Sequence, residues 1–134
     1  MRHAVLIVSS RRARYLDWHL QSMCKHRRPD STEILVLNDG LEDDTASVVN
    51  NHRKDYPGIR YLFTGARNSP ENMKWRVPGF ALNVGIKSTD ADIIILTCAE
   101  MLYLNDAQHF AVRAVEQDPA ALGTVKVWDD HGPL

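Results

Sequence analysis

Leu37-Asn38-Asp39-Gly40 closes an apolar run over residues 33–37, and Ile93-Ile94-Ile95-Leu96 leads into Thr97-Cys98-Ala99-Glu100. Both runs have strand length, and each is followed by an acid just past its carboxyl end, Asp39 in one case and Glu100 in the other. Open α/β sheets bind ligands in the crevice outside the carboxyl ends of their strands, so the two acids are expected to face one pocket. Between them Phe80-Ala81-Leu82-Asn83-Val84-Gly85-Ile86-Lys87 reads as an amphipathic helix able to cover the sheet.

Working outward, strands and helices alternate. An apolar strand is expected at 3–8 and a helix at 12–26, where Tyr15, Leu16, Leu20 and Met23 recur at helical spacing. The second strand, at 33–37, is followed by a helix that Asp43 or Asp44 could cap, running to about residue 54. Pro57-Gly58 makes a turn before a third strand at 59–63, and a long loop covers about 64–77. Loops of that length are more often functional than accidental. Pro78 suits the first turn of a helix reaching about residue 88. The strand at 91–97 is expected to be central and buried on both faces, because its apolar run is continuous. A helix from Asn105 or Asp106 to about residue 117 and a strand at 122–128 complete the chain. This order predicts one α/β domain over 1–134, Rossmann-like, with a mostly parallel central sheet and helices on both faces.

Composition excludes several classes. With 44% hydrophobic and 25% charged residues, the chain is an ordinary globular protein, and a formal net charge of -1 offers no attraction for nucleic acid. No stretch approaches the ~20 apolar residues of a membrane helix, so no integral membrane segment is expected. The apolar run at 4–8 is too short for a signal peptide, which makes a cytoplasmic location the default expectation. Two cysteines, Cys24 and Cys98, form no disulfide framework, and the six histidines form no zinc pattern.

The strand ends carry the chemistry. The Asp39 carboxylate could accept a hydrogen bond from a nucleobase imide or ribose hydroxyl, with Gly40 allowing a tight turn that exposes it. The alternative is an Asx-type turn leading into Asp43-Asp44. Glu100 could hold Mg2+ or Mn2+ bridged to the oxygens of a nucleotide diphosphate, or it could be a solvated acid at a strand end. Lys74, Arg76 and also Arg11 or Arg12 could neutralise phosphates, or could be ordinary surface charges. Trp75 could cover a ligand or lid the core, and Asn83 could fix the loops of the site or sit on the exposed side of its helix. Cys98 is expected to act as a small buried hydrophobe rather than a nucleophile.

Taken together, these segments resemble family two of the nucleotide-sugar glycosyltransferases, which have the GT-A fold. The resemblance runs from Val5 to about Asp106. The family's first strand ends in a Pro-Thr-Tyr-Asn-Arg-like loop, here Val8-Ser9-Ser10-Arg11-Arg12. Its second runs into Asp-Asp-Gly-Ser-x-Asp-x-Thr, here Asn38-Asp39-Gly40-Leu41-Glu42-Asp43-Asp44-Thr45. Ala81-Leu82-Asn83-Val84-Gly85 looks like the family's Ala-x-Asn-x-Gly segment, and Cys98-Ala99-Glu100 falls where it has Asp-x-Asp. The resemblance implies that Ser9 and Asp39 contact the nucleoside, and Asn83 and Cys98 join them as candidate nucleotide-binding residues. It further implies that Cys98 replaces the first acid and that Glu100 takes the metal position, with Mn2+ or Mg2+ as cofactor. The implied ligand is a nucleotide-sugar donor, with a UDP-sugar favoured, and the sugar would pass to an unknown acceptor.

Two departures bear on activity. Asn38 replaces an acid, and Cys98 cannot bind ribose as an aspartate does. The family's acceptor half and catalytic base lie downstream of Asp-x-Asp, and no base is legible within these 134 residues; Asp129 and Asp130 are candidates by charge alone. The expectation is therefore a transferase that is truncated or is completed in a homo-oligomer, with a catalytically inactive nucleotide-binding or assembly module as the alternative. A sugar nucleotidyltransferase would want a glycine-rich loop where Ser9-Ser10-Arg11-Arg12 stands, and a phospho-receiver would want acids there.

Overall fold

The computed structural model describes residues 1–26, 32–72, 77–120 and 122–123. The chain order is β1 (His3–Ser9), α1 (Ala13–Cys24), β2 (Thr32–Asn38), α2 (Thr45–Asn51), β3 (Arg60–Phe63), α3 (Pro78–Lys87), β4 (Ile93–Cys98) and α4 (Ala107–Gln117). A 3-10 turn, His52–Lys54, extends α2. The expected strand at 122–128 lies outside the described residues except for its first two positions.

The strands lie in the order β3-β2-β1-β4 and every pairing is parallel. The chain winds outward from β1 through β2 to β3 and then returns to the other side of β1 for β4. That reversal creates a crevice beyond the carboxyl ends of β1 and β4. The α/β class and parallel sheet expected from the alternating pattern are what the chain forms.

Both faces of the sheet are covered, which is why β1 reads as an uninterrupted apolar run. Val5, Ile7, Ile34 and Val36 meet Leu16, Leu20 and Met23 of α1 and Val49 of α2 on one side. Ala4, Leu6, Leu35 and Leu37 meet Ala81 of α3 on the other. Gly85 stands one turn after Ala81, and a Cβ there would come within 2.7 Å of Leu37 Cδ1 and 2.8 Å of Leu6 Cδ2. Its missing side chain is what lets α3 lie this close to the sheet. The Ala-x-Asn-x-Gly segment is thus first a packing device: Ala81 and Gly85 face the strands, and Asn83 between them is exposed.

The run in β4 predicts a central strand buried on both faces; among the described residues β4 pairs with β1, and its burial is incomplete. Ile94 and Ile95 are only partly buried and Leu96 is 53% exposed. Helix α3 packs mainly on β1 and β2, and Ile94 reaches only the margin of that cluster. An apolar run reports what a strand can bury, not how much cover it receives.

Candidate functional site

The strand ends are aligned by the ladder itself. Ser9 pairs with Asn38 and Val8 with Cys98, and the parallel pattern continues one residue further. The Asp39 N–H donates to the Ser9 carbonyl at 2.9 Å, Ala99 N–H to Val8 at 3.0 Å, and Thr64 N–H to Asn38 at 2.9 Å. Ser9, Asp39, Thr64 and Ala99 therefore stand on one edge, with Glu100 next in the chain. Strand alternation turns Ser9 and Asn38 to the side of α1 and α2, and Cys98 to the side of α3. The Ser9 hydroxyl is buried without a hydrogen-bond partner among the described residues.

The turn after β2 is made by Asn38. Its Oδ1 accepts the Gly40 N–H at 3.0 Å, which is an Asx turn. Its amide approaches the Leu41 carbonyl at 3.3 Å, Asp43 Oδ1 at 3.2 Å and the Tyr61 hydroxyl at 3.1 Å. An aspartate here would bring a second carboxylate against Asp43 and lose every donor, which accounts physically for the amide at this position. Asp43 in turn accepts the Thr45 N–H at 3.0 Å at the start of α2.

Asp39 is in place but closed. The residue is fully buried, with Thr64 Oγ1 donating to Oδ1 at 3.2 Å. The Asn68 amide donates to the carbonyls of Asp39 and Gly40 at 3.1 and 3.0 Å, so the loop after β3 lies across the turn. A Cβ on Gly65 would overlap the Gly40 carbonyl oxygen, showing that backbone presses on backbone there. The expectation that Gly40 exposes Asp39 is corrected accordingly. Gly40 is needed because a Cβ would stand 2.8 Å from Ser10 Oγ as the turn passes the β1–α1 loop.

Glu100 is open and paired with a cation. Arg12 Nε donates to its Oε1 at 3.0 Å across the crevice between β1 and β4, with both side chains close to half exposed. Arg12 follows Arg11, the one non-glycine residue at positive φ (55°) among the described residues, and its Nη1 donates to the Arg11 carbonyl. A left-handed arginine costs roughly 1 kcal/mol or more, so the turn that presents Arg12 is strained. Cys98, beside this pair, is partly buried. Burial pushes its thiol up from the ordinary value and the negative Glu100 adds to the rise, so it is a thiol at neutral pH.

The segment carrying Glu100 is fastened to α1 by side chains that sequence reasoning left unassigned. His19 Nδ1 lies 2.6 Å from the Met101 carbonyl, which can only accept, so Nδ1 carries the proton. Ser22 Oγ accepts the Tyr103 N–H at 3.0 Å and donates to the His19 carbonyl at 2.7 Å. His26 Nε2 lies 2.9 Å from the Tyr103 carbonyl. His19 and Ser22 share one face of α1 and His26 stands two residues past its end, and the i, i+3 spacing of the first two was the available signal. Burial lowers the His19 pKa to about 4, against smaller opposing effects of the Met101 bond and Glu100. This imidazole is neutral and structural at physiological pH.

Lys74, Trp75 and Arg76 lie outside the described residues, as do Asp129 and Asp130. Arg67, in the same long loop, places its guanidinium 3.7 Å from the Phe80 ring centroid and ties that loop to α3. Among the described residues no three His, Cys, Asp or Glu side chains cluster as metal ligands. Glu100 thus offers one carboxylate, which fits a hard cation whose remaining oxygens come from phosphate and water. No helix among the described residues is long and apolar enough to cross a membrane.

The parallel sheet reversing at β1 makes this an α/β, Rossmann-like fold, and it matches the fold of solved GT-A glycosyltransferases. No family model matches the sequence. A dolichyl-phosphate beta-glucosyltransferase of Trichomonas vaginalis is 35% identical over 68 residues, which are 51% of this chain and 18% of that protein. Among solved structures, S. aureus TarS 1-349 in complex with UDP-GlcNAc matches with a TM-score of 0.69 at 20% identity, covering 87% of this chain and 32% of that one. The mannosyltransferase PcManGT of Pyrobaculum calidifontis, in complex with GDP-Man and Mn2+, matches with a TM-score of 0.65 at 20% identity over 85% of this chain and 32% of that one. The chain therefore spans about a third or less of the length of these glycosyltransferases.

Proposed function

We propose that this chain is the donor-binding part of a nucleotide-sugar-dependent glycosyltransferase, with a UDP-sugar as the favoured donor. The observation that carries the reading is the alignment of Ser9, Asp39 and Glu100 on the carboxyl edge of the sheet, at the point where strand order reverses. Asp39 would accept a hydrogen bond from the nucleoside once the Thr64 and Asn68 contacts above it open. Ser9 brings a buried hydroxyl without a described partner to the same edge. Glu100 would hold Mn2+ or Mg2+, which when bound supplies positive charge to the departing diphosphate. Asn83 and Cys98 would line the α3 side, Cys98 as a neutral thiol in place of a ribose-binding acid.

The acceptor-binding part and the deprotonating base would lie in the portion of the relatives' length that this chain does not span, while the sugar arrives on the donor bound here. Calorimetric titration with UDP and with GDP, each with and without Mn2+, tests the reading. Mn2+-dependent binding that Glu100→Ala abolishes and Asp39→Ala weakens is the expected result. Absence of binding to either nucleotide overturns it and leaves a structural or assembly role.

A further inference from the structure

Arg12 and Glu100 carry an inference that rests on this donor-site reading and goes beyond it. The carboxylate suited to a divalent cation already has a cationic partner, at 3.0 Å, contributed from the opposite wall of the crevice. That partner is built in: it is the N-cap residue of α1, has no capping bond of its own, and follows a residue held at positive φ. The α1 end at which it stands is also the electropositive end of the helix dipole, which favours anions.

We propose that Arg12 is an exchangeable counter-ion: it neutralises Glu100 while the site is empty, and passes to the diphosphate of the ligand when a divalent cation takes Glu100. The exchange is energetically open. An ion pair this exposed is worth at most about 1 kcal/mol, so a ligand bringing both a cation and phosphate oxygens can displace it. Arg12 gives Glu100 one donor, Nε, while Nη1 holds the Arg11 carbonyl, and a guanidinium can offer the same N–H to a phosphate oxygen, so the bond lost at Glu100 is replaced at the ligand. The net charge around Glu100 stays compensated throughout. A cation arriving alone meets an occupied carboxylate and a neighbouring positive charge, whereas a cation arriving with a nucleoside diphosphate does not. Cation and nucleotide should therefore bind with mutual reinforcement.

The test measures two affinities in the intact chain. Mn2+ alone is followed by loss of the free-ion electron paramagnetic resonance signal, and UDP at saturating Mn2+ by calorimetry. Arg12→Gln is expected to tighten Mn2+ alone by about two- to fivefold, the worth of an exposed ion pair. The same variant is expected to weaken UDP by about tenfold, the worth of a charged hydrogen bond. Arg12→Lys, which keeps charge but loses the fork, should restore the weak binding of Mn2+ alone but only part of the UDP affinity. Arg14→Gln removes a cation stacked on Trp18 two residues away and should change neither. Opposite signs in Arg12→Gln support the exchange, because loss of fold would weaken both. Unchanged affinities, or a shift of both in one direction, overturn the exchange while the donor site stands if Glu100→Gln still abolishes Mn2+-dependent UDP binding. If the unsubstituted chain binds neither UDP nor GDP with Mn2+, the donor-site reading fails and the exchange with it.

Discussion

The Nδ1 of His19 lies 2.6 Å from the carbonyl oxygen of Met101, so α1 holds the backbone immediately after Glu100. The histidine is fully buried, edge-on to Tyr103, and its other ring nitrogen has no partner among the described residues. Its pKa is lowered from 6.5 to about 4 by burial. The unfolded chain therefore binds more protons than the folded one between those values. Stability from this group is complete above pH 6.5 and is lost as pH falls toward 4. The shift corresponds to about 3 kcal/mol at most. Urea midpoints at pH 7, 5.5 and 4 should fall more steeply for the unsubstituted chain than for His19→Gln, and parallel curves would refute the assignment.

Asn38 gives a second prediction, against the resemblance. Asn38→Asp restores an acid common in the family but sets it against Asp43 and removes donors to Leu41 and Tyr61. A loss of about 1–3 kcal/mol is expected from the unpaired groups. Adding Asn at Asp43 should recover part of it, so the thermal midpoint of the double variant should exceed that of Asn38→Asp alone.

Asp39 should respond to what covers it. Asn68→Ala removes the amide that bridges the carbonyls of Asp39 and Gly40, leaving two acceptors in need of water. Amide hydrogen exchange should accelerate in residues 64–72 and remain slow in β1 and β2. Equal acceleration throughout would mean that the loop and sheet open as one unit.

Gly85 tests the helix contact. Gly85→Val places two methyl groups against Leu6 and Leu37, both fully buried, and should cost about 1–3 kcal/mol by overpacking. Asn83→Ala, on the exposed side of the same helix, should leave the denaturation midpoint nearly unchanged. A large loss there would mean that Asn83 is structural.

The elements were legible to within a few residues because their signals are local. Leu16, Leu20 and Met23 recur at helical spacing and form the buried face of α1. Pro78 opens α3 as its missing N–H predicts. Helix α2 illustrates the limit. Its acids are at the expected end, but Asp44 makes no side-chain cap bond, while Asp43 holds the Thr45 N–H and the helix tightens to a 3-10 turn after Asn51. Capping chemistry names candidate oxygens, and backbone direction selects one.

Sequence by itself determined the α/β alternation, the parallel sheet and the placing of Asp39 and Glu100 beyond strand ends, since periodicity and strand termination are written in neighbouring residues. Only the tertiary structure decided what those acids touch. Arg12 and Glu100 are 88 positions apart, and His19 and Met101 are 82 apart. Side-chain periodicity carries no information about such pairs, because each is created by which strands lie side by side. For the same reason the apolar run of β4 could not reveal that Leu96 within it is half exposed, nor Asn-Asp-Gly that its aspartate is closed beneath Thr64 and Asn68. Hydrophobicity records a preference for burial, and packing against the rest of the chain determines whether that preference is met.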